Sequence, residues 1–417
     1  MARLRERAAS GTGQYMAAIG VRTAARAGWS LALPALLPVA VYGRYSVLIA
    51  LSVVVVQFAT LGAPQAIIRE AGRTLPVLGL VMHALLLGVV GAVGASLLSP
   101  SGGRDATLVL AANVAAGVVL GLLGARAKAR LAFGTVLRAE SVCGGVLLAS
   151  TLGLLLSVPH AGSWSASAAV AVECVAAGAA VAWYLAERRT RMTAGELTAR
   201  GTAALLPSVY GVGGLAMLDV AVLRRVEIYF LEHSPSGLTG VAVVSVALQL
   251  SNMLLLPAAA MLDAWQPRLA VAFRGDPGAF AEALRSRARR FGAAWVGLVV
   301  ASMVLPTLAV SLVLRKYDPW CWTIVGVVLA RSVCGGAGLC SSVLYAVGLQ
   351  RWLVVPCVGG ACVAVVANAW LTPRLGLPGA VGAHLLTQAT VAGTTLVAYA
   401  YAARRHPALA LWSRRTA

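Results

Sequence analysis

Apolar runs about as long as one membrane crossing recur along the whole chain, separated by short stretches that hold most of the charge. A spanning helix needs about 20 mainly apolar residues. On that scale the sequence predicts twelve spans, near 14–40, 45–66, 75–98, 106–125, 136–158, 164–186, 203–230, 239–262, 292–314, 320–346, 352–372 and 379–402. The stretches between them are short, the longest lying near 187–202 and 263–291, and none is long enough for a soluble domain of its own. The expected fold class is therefore an all-α membrane protein. The basic N-terminus (Arg3, Arg5, Arg7) before an apolar run could mimic a signal peptide. That run is too long for an apolar signal core of about 7–15 residues and carries Arg22 and Arg26, so it reads as an uncleaved first helix.

Composition strengthens this picture. Hydrophobic residues make up 59% of the chain, charged residues 12%, and the mean hydropathy is +0.83. Soluble domains carry about 25% charged residues, so half the usual solvating charge is missing. Ala, Val, Leu and Gly dominate the apolar content, and small residues let helices approach closely where hydrophobicity cannot drive them together. The seven cysteines are scattered, mostly within apolar runs and without a Cys-x-x-Cys pair, which suits small apolar fillers better than metal or disulfide roles.

The net charge of +20 would suggest nucleic acid on a soluble protein. Here the 34 basic residues cluster between apolar runs, which points to topology and anionic lipid, and no nucleic-acid partner is expected. With both termini cytoplasmic, the inner segments hold 24 Lys and Arg and the outer loops 5 (Arg44, Arg104, Arg315, Lys316, Arg374). Such a bias favours twelve spans in that orientation. The halves also echo each other: Gly43, Pro64 and Arg69 precede Gly240, Pro267 and Arg268 by 197, 203 and 199 positions. A duplicated set of six helices would give two lobes related by an axis along the membrane normal. The expected division is an N-terminal six-helix lobe over 1–200 and a C-terminal six-helix lobe over 201–417.

Five arginines fall well inside predicted spans: Arg22, Arg26, Arg224, Arg225 and Arg331. A charge at the centre of a span costs roughly 2.5–3.5 kcal/mol on insertion scales, so it usually faces a cavity or a partner. Arg22 and Arg26 are four apart and share a helix face, about 12 and 18 Å along the first span. They could form an anion-binding wall, or snorkel from a helix that begins nearer Trp29. Arg224 can reach Glu227, three residues on, as an internal ion pair, or both it and Arg225 can contact substrate. Arg331 faces a cavity or pairs across helices with Glu173 or Asp219. Glu173, Asp219 and Glu227 are the embedded carboxylates, open to ion or proton coupling or to balancing the arginines. Gln57, Gln249, Asn252, Asn368, His384 and Gln388 read mainly as interhelical hydrogen-bonding residues, with sugar contact open to some.

Signatures of catalysis are absent from the sequence. It has no His-Glu-x-x-His, nucleophile elbow, paired metal-binding acids or phosphate-binding Walker loop, so the expectation is no enzyme, no catalytic residue, no metal and no cofactor.

Several local patterns coincide along the full length. Tyr42-Gly43-Arg44-Tyr45 stands before the second span and Leu61-Gly-Ala-Pro-Gln-Ala-Ile-Ile-Arg69 after it; Arg224-Arg-Val-Glu-Ile-Tyr-Phe-Leu231 is followed by Gly240; Pro267 ends the eighth span. Ala346-Val-Gly348 and Pro373-Arg-Leu-Gly-Leu-Pro-Gly-Ala-Val-Gly-Ala383 come later. In this order and spacing the chain resembles the polysaccharide-exporting (Wzx-like) branch of the multidrug/oligosaccharidyl-lipid/polysaccharide exporter superfamily. It departs at Gly240-Val-Ala242, where that family usually has Gly-x-Tyr. The resemblance implies two six-helix bundles that open alternately to either side of the cytoplasmic membrane. It implies a flippase for a polyprenyl-diphosphate-linked oligosaccharide or related envelope precursor. Membrane lipids and a polysaccharide polymerase or glycosyltransferases are the partners it suggests. The five embedded arginines would escort the diphosphate. The rivals are a cation-coupled multidrug exporter of the same fold, an integral-membrane glycosyltransferase or polymerase, and a non-transporting scaffold.

Overall fold

The computed structural model describes residues 20–21, 23–64, 67, 76–98, 104–130, 132–156, 164–187, 193, 196, 202, 223, 225–275 and 277–409. Among them there is no strand. Among the described residues nine helices are long and apolar enough to cross a membrane, and many carry outward-facing Leu, Val and Trp (Leu97, Leu156, Leu312, Trp322) that only lipid would cover comfortably. The chain is an all-helical membrane protein of two bundles, Met1–Ala221 and Val222–Ala417. The expected division at 200/201 lies outside the described residues.

In the N-terminal unit α1 (23–36) is followed by α2 (Val39–Thr60), α3 (Val77–Leu98), α4 (Arg104–Ala129), α5 (Phe133–Leu156) and α6 (Ala166–Ala186). Ala25, Trp29, Leu33 and Leu37 recur every fourth position and are fully buried, forming the packing stripe of α1. Gly144 of α5 lets that stripe approach: a Cβ there would lie 3.1 Å from the Ala25 Cβ. α2 packs against α3, α4 and α6, and α4 and α5 each pack against α6. Pro38 separates α1 from α2, since it cannot donate a hydrogen bond to the preceding turn. The expected loop Val41–Arg44 is therefore the first turns of α2, which begins six residues before the expected 45. Leu61 closes α2 in the left-handed region (φ 38°), its N–H bonding the Gln57 carbonyl, and Gly62 follows at φ 84°.

The C-terminal unit holds α7 (Val226–Glu232), α8 (Gly237–Gly275), α9 (Pro277–Leu312), α10 (Cys321–Gly335), α11 (Gly338–Ala346), α12 (Val354–Leu375) and α13 (Leu377–Arg405). α12 and α13 form an extensively packed hairpin, and α8, α9 and α10 pack mutually. The Gly-Leu-Pro-Gly turn has a structural reason. Gly376 adopts φ 62°, a Cβ on it would collide with Ser236 Oγ, and that oxygen accepts the Leu377 N–H at 2.8 Å.

Two expectations need correction. The segment 263–291 is not a loop, because α8 runs to Gly275 and α9 starts at Pro277. With 39 residues, α8 is about 58 Å long, well beyond a 30 Å hydrocarbon core. Its extension and that of α9 are held by Leu262, Leu269, Phe280, Leu284 and Phe291 with Tyr399 and Leu409 of the chain's end. Those apolar residues recur at helical spacing among arginines, a pattern that a search for uninterrupted apolar runs passes over. The expected tenth span is likewise two helices, α10 and α11, broken at Gly336-Ala337. Gly335 and Gly336 lie against the Trp295 ring, where added Cβ atoms would come within 3.0 and 3.1 Å of it.

Candidate functional site: a polar cavity in the N-terminal unit

Arg26 sits one residue round from the buried stripe of α1, so its side chain leaves the packed face and is 53% exposed. It enters a cavity of about 520 Å³ enclosed by α1, α2, α4, α5 and α6. Opposite, α6 presents Glu173, whose carboxylate takes Arg26 Nη2 at 3.1 Å on one oxygen and the Tyr45 hydroxyl at 2.7 Å on the other. Three helices meet at this one group. Tyr45 stacks beside Tyr42 with centroids 5.9 Å apart, which fixes its hydroxyl.

Deeper polar groups come from α2 and α4. Asn113 Nδ2 donates to Ser52 Oγ at 2.8 Å, and Gln57 joins them on the wall. The space exists because α4 carries glycines here; a Cβ on Gly121 would meet nothing within 4 Å. Lys128, Glu140 and Tyr184 complete the polar lining, with Val53, Val56, Leu120 and Leu147 as its apolar part. The cavity thus has two cations, two carboxylates, amides and hydroxyls over an apolar floor. It can offer hydrogen bonds to a polyhydroxylated or anionic group and still accept an apolar appendage.

A second polar cluster, within the N-terminal unit, joins the end of α4 to Thr193 and Glu196. Glu196 accepts Arg126 Nε and Nη2, both at 2.8 Å, and Arg130 Nη2 at 2.7 Å. It also receives the Thr193 N–H and hydroxyl, and its own carbonyl takes the Leu78 N–H at the start of α3. Burial pushes its carboxyl up, but the bonds from Arg126 and Thr193 outweigh that and bring it down to about 2.

In the C-terminal unit Glu227 of α7 meets His384 of α13, Oε1 to Nδ1 at 2.6 Å, with both side chains almost wholly buried. The outer atoms, Glu227 Oε2 and His384 Nε2, have no partner among the described residues. Arg331 of α10 is buried and donates to the Leu248 carbonyl of α8 at 3.3 Å. Arg225 stands at the N-terminus of α7, where its carbonyl accepts the Ile228 N–H. Arg22, Arg224 and Asp219 lie outside the described residues. Of the sequence candidates, then, Arg26 and Glu173 come together in one cavity and Glu227 pairs elsewhere. Lys128, Glu140, Ser52, Asn113 and Tyr45 were not singled out as site residues. Lys128 looks like a loop charge in the sequence, Glu140 stands near the start of the predicted fifth span, and only Tyr45 carried a signal, in Tyr-Gly-Arg-Tyr.

No family model and no curated relative matches the sequence. Solved structures do. An inward-facing multidrug-resistance MATE transporter of the MOP superfamily aligns over 95% of this chain and 98% of its own, with TM-score 0.66 and 13% identity. A MATE protein in a bent conformation aligns over 95% and 94%, with TM-score 0.57 and 16% identity. A MOP superfamily transporter from Pyrococcus furiosus, described as having a binding pocket of reverse polarity, aligns over 95% and 94%, with TM-score 0.57 and 13% identity. The two helical bundles of this chain therefore have the same fold as these proteins, a MATE-like fold.

Proposed function

We propose that the protein is a flippase that moves a polyprenyl-diphosphate-linked oligosaccharide, or a related envelope precursor, across the cytoplasmic membrane by alternating access. The observation that carries this reading is the cavity wall on which Arg26 stands among Ser52, Gln57 and Asn113. A diphosphate headgroup cannot cross hydrocarbon unaided, and a guanidinium fork matches its oxygens. Amides and hydroxyls answer sugar hydroxyls, and the apolar lining tolerates the first part of a lipid tail.

Glu173 refines the role. An arginine already paired with a carboxylate releases less free energy on meeting a phosphate, because the substrate must compete with a resident partner. Binding is then modest, which suits a transporter, since tight binding to one state would trap the cargo. Tyr45 keeps Glu173 in place when Arg26 turns to substrate.

Multidrug export is the second reading, favoured by the MATE neighbours and by a cavity whose acids equal its bases. The Pyrococcus protein's description ties reversed pocket polarity to a different function, so polarity is the property to weigh within this fold. The decisive experiment is mass spectrometry of polyprenyl-linked saccharides in a deletion strain, with outer-leaflet exposure assayed in parallel. One glycolipid accumulating on the cytoplasmic face supports flipping. Unchanged glycolipids with altered drug sensitivity would favour the multidrug reading.

A further inference from the structure

We propose that Arg351, Trp352, Tyr401 and Arg405 form a binding site for the phosphate of an anionic phospholipid, on the end of the C-terminal unit that the arginine bias assigns to the cytoplasm. The site is built where two helices meet the interface. The turn Gln350–Leu353 leads into α12 and places Trp352 against Tyr401, near the end of α13, with ring centroids 4.9 Å apart. Arg405 lies over both rings, 4.7 Å from the Tyr401 centroid and 5.7 Å from that of Trp352, and donates to the Tyr401 hydroxyl at 2.6 Å. Arg351 lies 5.8 Å from the same Trp352 centroid.

Two guanidiniums thus share one indole, and among the described residues neither pairs with a carboxylate. Ring faces offset part of their repulsion. A guanidinium held by its face keeps N–H edges for an anion, and a phosphate between the two would relieve the rest. Arg404, also exposed, adds a third positive charge next to Arg405.

The choice of a lipid rests on what surrounds the cluster. Directly beyond Trp352, α12 exposes Val354, Val355 and Val358, and α13 exposes Leu396 and Val397 on the approach to Tyr401. Exposed apolar side chains therefore give way, within a turn or two, to exposed arginines with an aromatic pair at the junction. That sequence of surfaces matches acyl chain, interface and headgroup in order. The inference is independent of what the N-terminal cavity carries.

The other end of α12 supplies a control. Arg374 stacks on Trp370 at 4.7 Å, but without a second arginine on the ring. The test compares the full-length chain with Arg351→Gln/Arg405→Gln and with Arg315→Gln/Arg374→Gln, which removes equal charge elsewhere. Binding of phosphatidylglycerol and of phosphatidylcholine would be read by native mass spectrometry and by lipid-induced change in unfolding temperature. The expected result is a preference for phosphatidylglycerol that falls on the order of tenfold in the first variant and persists in the second. If the first variant folds poorly, Arg351→Lys/Arg405→Lys keeps the charge but loses the planar stacked fork, and an intermediate loss is expected. Equal response of the two glutamine variants, or no preference for phosphatidylglycerol in the native chain, would overturn the proposal.

Discussion

In the N-terminal unit the carboxylate of Glu173 meets Arg26 at the wall of a cavity, with Arg26 half exposed and a tyrosine completing the carboxylate's shell. In the C-terminal unit Glu227 meets His384 with neither side chain reaching solvent. The chemistry is alike, an acid against a base; the surroundings are opposite. A pair at a cavity wall can exchange partners with an incoming ligand, because water or substrate replaces what is lost. A sealed pair holds α7 against α13, and any change in it leaves a polar group stranded. The first arrangement suits binding, the second suits holding helices together.

Removing the acid from each pair gives the largest contrast. Glu227→Ala leaves His384 buried with no partner, a change that costs about 3 kcal/mol when one member of a buried pair is deleted. Glu173→Ala leaves Arg26 with access to the cavity, and screened pairs of that kind are worth less than about 1 kcal/mol. Unfolding of the two purified variants in the same lipid would measure both. Equal losses would erase the distinction between a working pair and a structural one.

Acid offers the next test, on the cluster that joins the end of α4 to Thr193 and Glu196. The Glu196 carboxyl is lowered from 4.5 to about 2 in the folded chain. A lowered folded value means that the contribution is fully present above about 4.5 and is lost as pH falls through the folded value near 2. The melting temperature should therefore drop over that window in the native chain. In Arg126→Ala the chain should begin less stable at neutral pH and lose less on acidification. A variant with an unchanged acid profile would show that Glu196 is not the group responsible.

Much of the fold was legible because lipid writes a simple rule into sequence: α2 to α6, α12 and α13 are apolar runs bounded by charges. The errors share a cause. α8 and α9 continue as amphipathic helices beyond any lipid, so the arginines at 285, 287, 289 and 290 looked like a loop although Phe280, Leu284 and Phe291 keep helical spacing. The cavity was less legible. Arg26 and Glu173 stood out because charge is costly inside a span, whereas Asn113, Ser52 and Gly121 become site residues only when α2 and α4 pack. His384 reads from the sequence as an interhelical hydrogen-bonding residue and is one, but that its partner is Glu227, 157 positions away, has no local signal.

Transport separates the arginines more finely. On the proposed flippase reading, Arg26→Gln keeps a hydrogen-bonding side chain but loses the charge, so export of a lipid-linked oligosaccharide should fall about tenfold, the loss of one charge-assisted contact, with little change in unfolding. Arg331→Gln should do the reverse. That guanidinium is buried and ties α10 to the Leu248 carbonyl of α8, so its loss should lower stability. Unchanged export by Arg26→Gln in a host dependent on the protein would remove the cavity arginine from the mechanism.

The smallest expected effect concerns the empty side of a helix. Gly121 of α4 has no atom within 4 Å of where a Cβ would stand, whereas at Gly360 of α12 a Cβ would collide with the Val391 side chain. In a helix, Ala replaces Gly with a gain of roughly 0.5–1 kcal/mol when the space is free. Gly121→Ala should thus raise stability slightly, and Gly360→Ala should lower it through overpacking. The pair tests the cavity without touching a charge. If Gly121→Ala destabilises as Gly360→Ala does, the space beside α4 is filled in the folded protein and the N-terminal unit is as tightly closed as its neighbour. If it stabilises while Gly121→Leu cuts export, the volume itself is in use, and the glycines of α4 keep room for cargo at a small expense in helix stability.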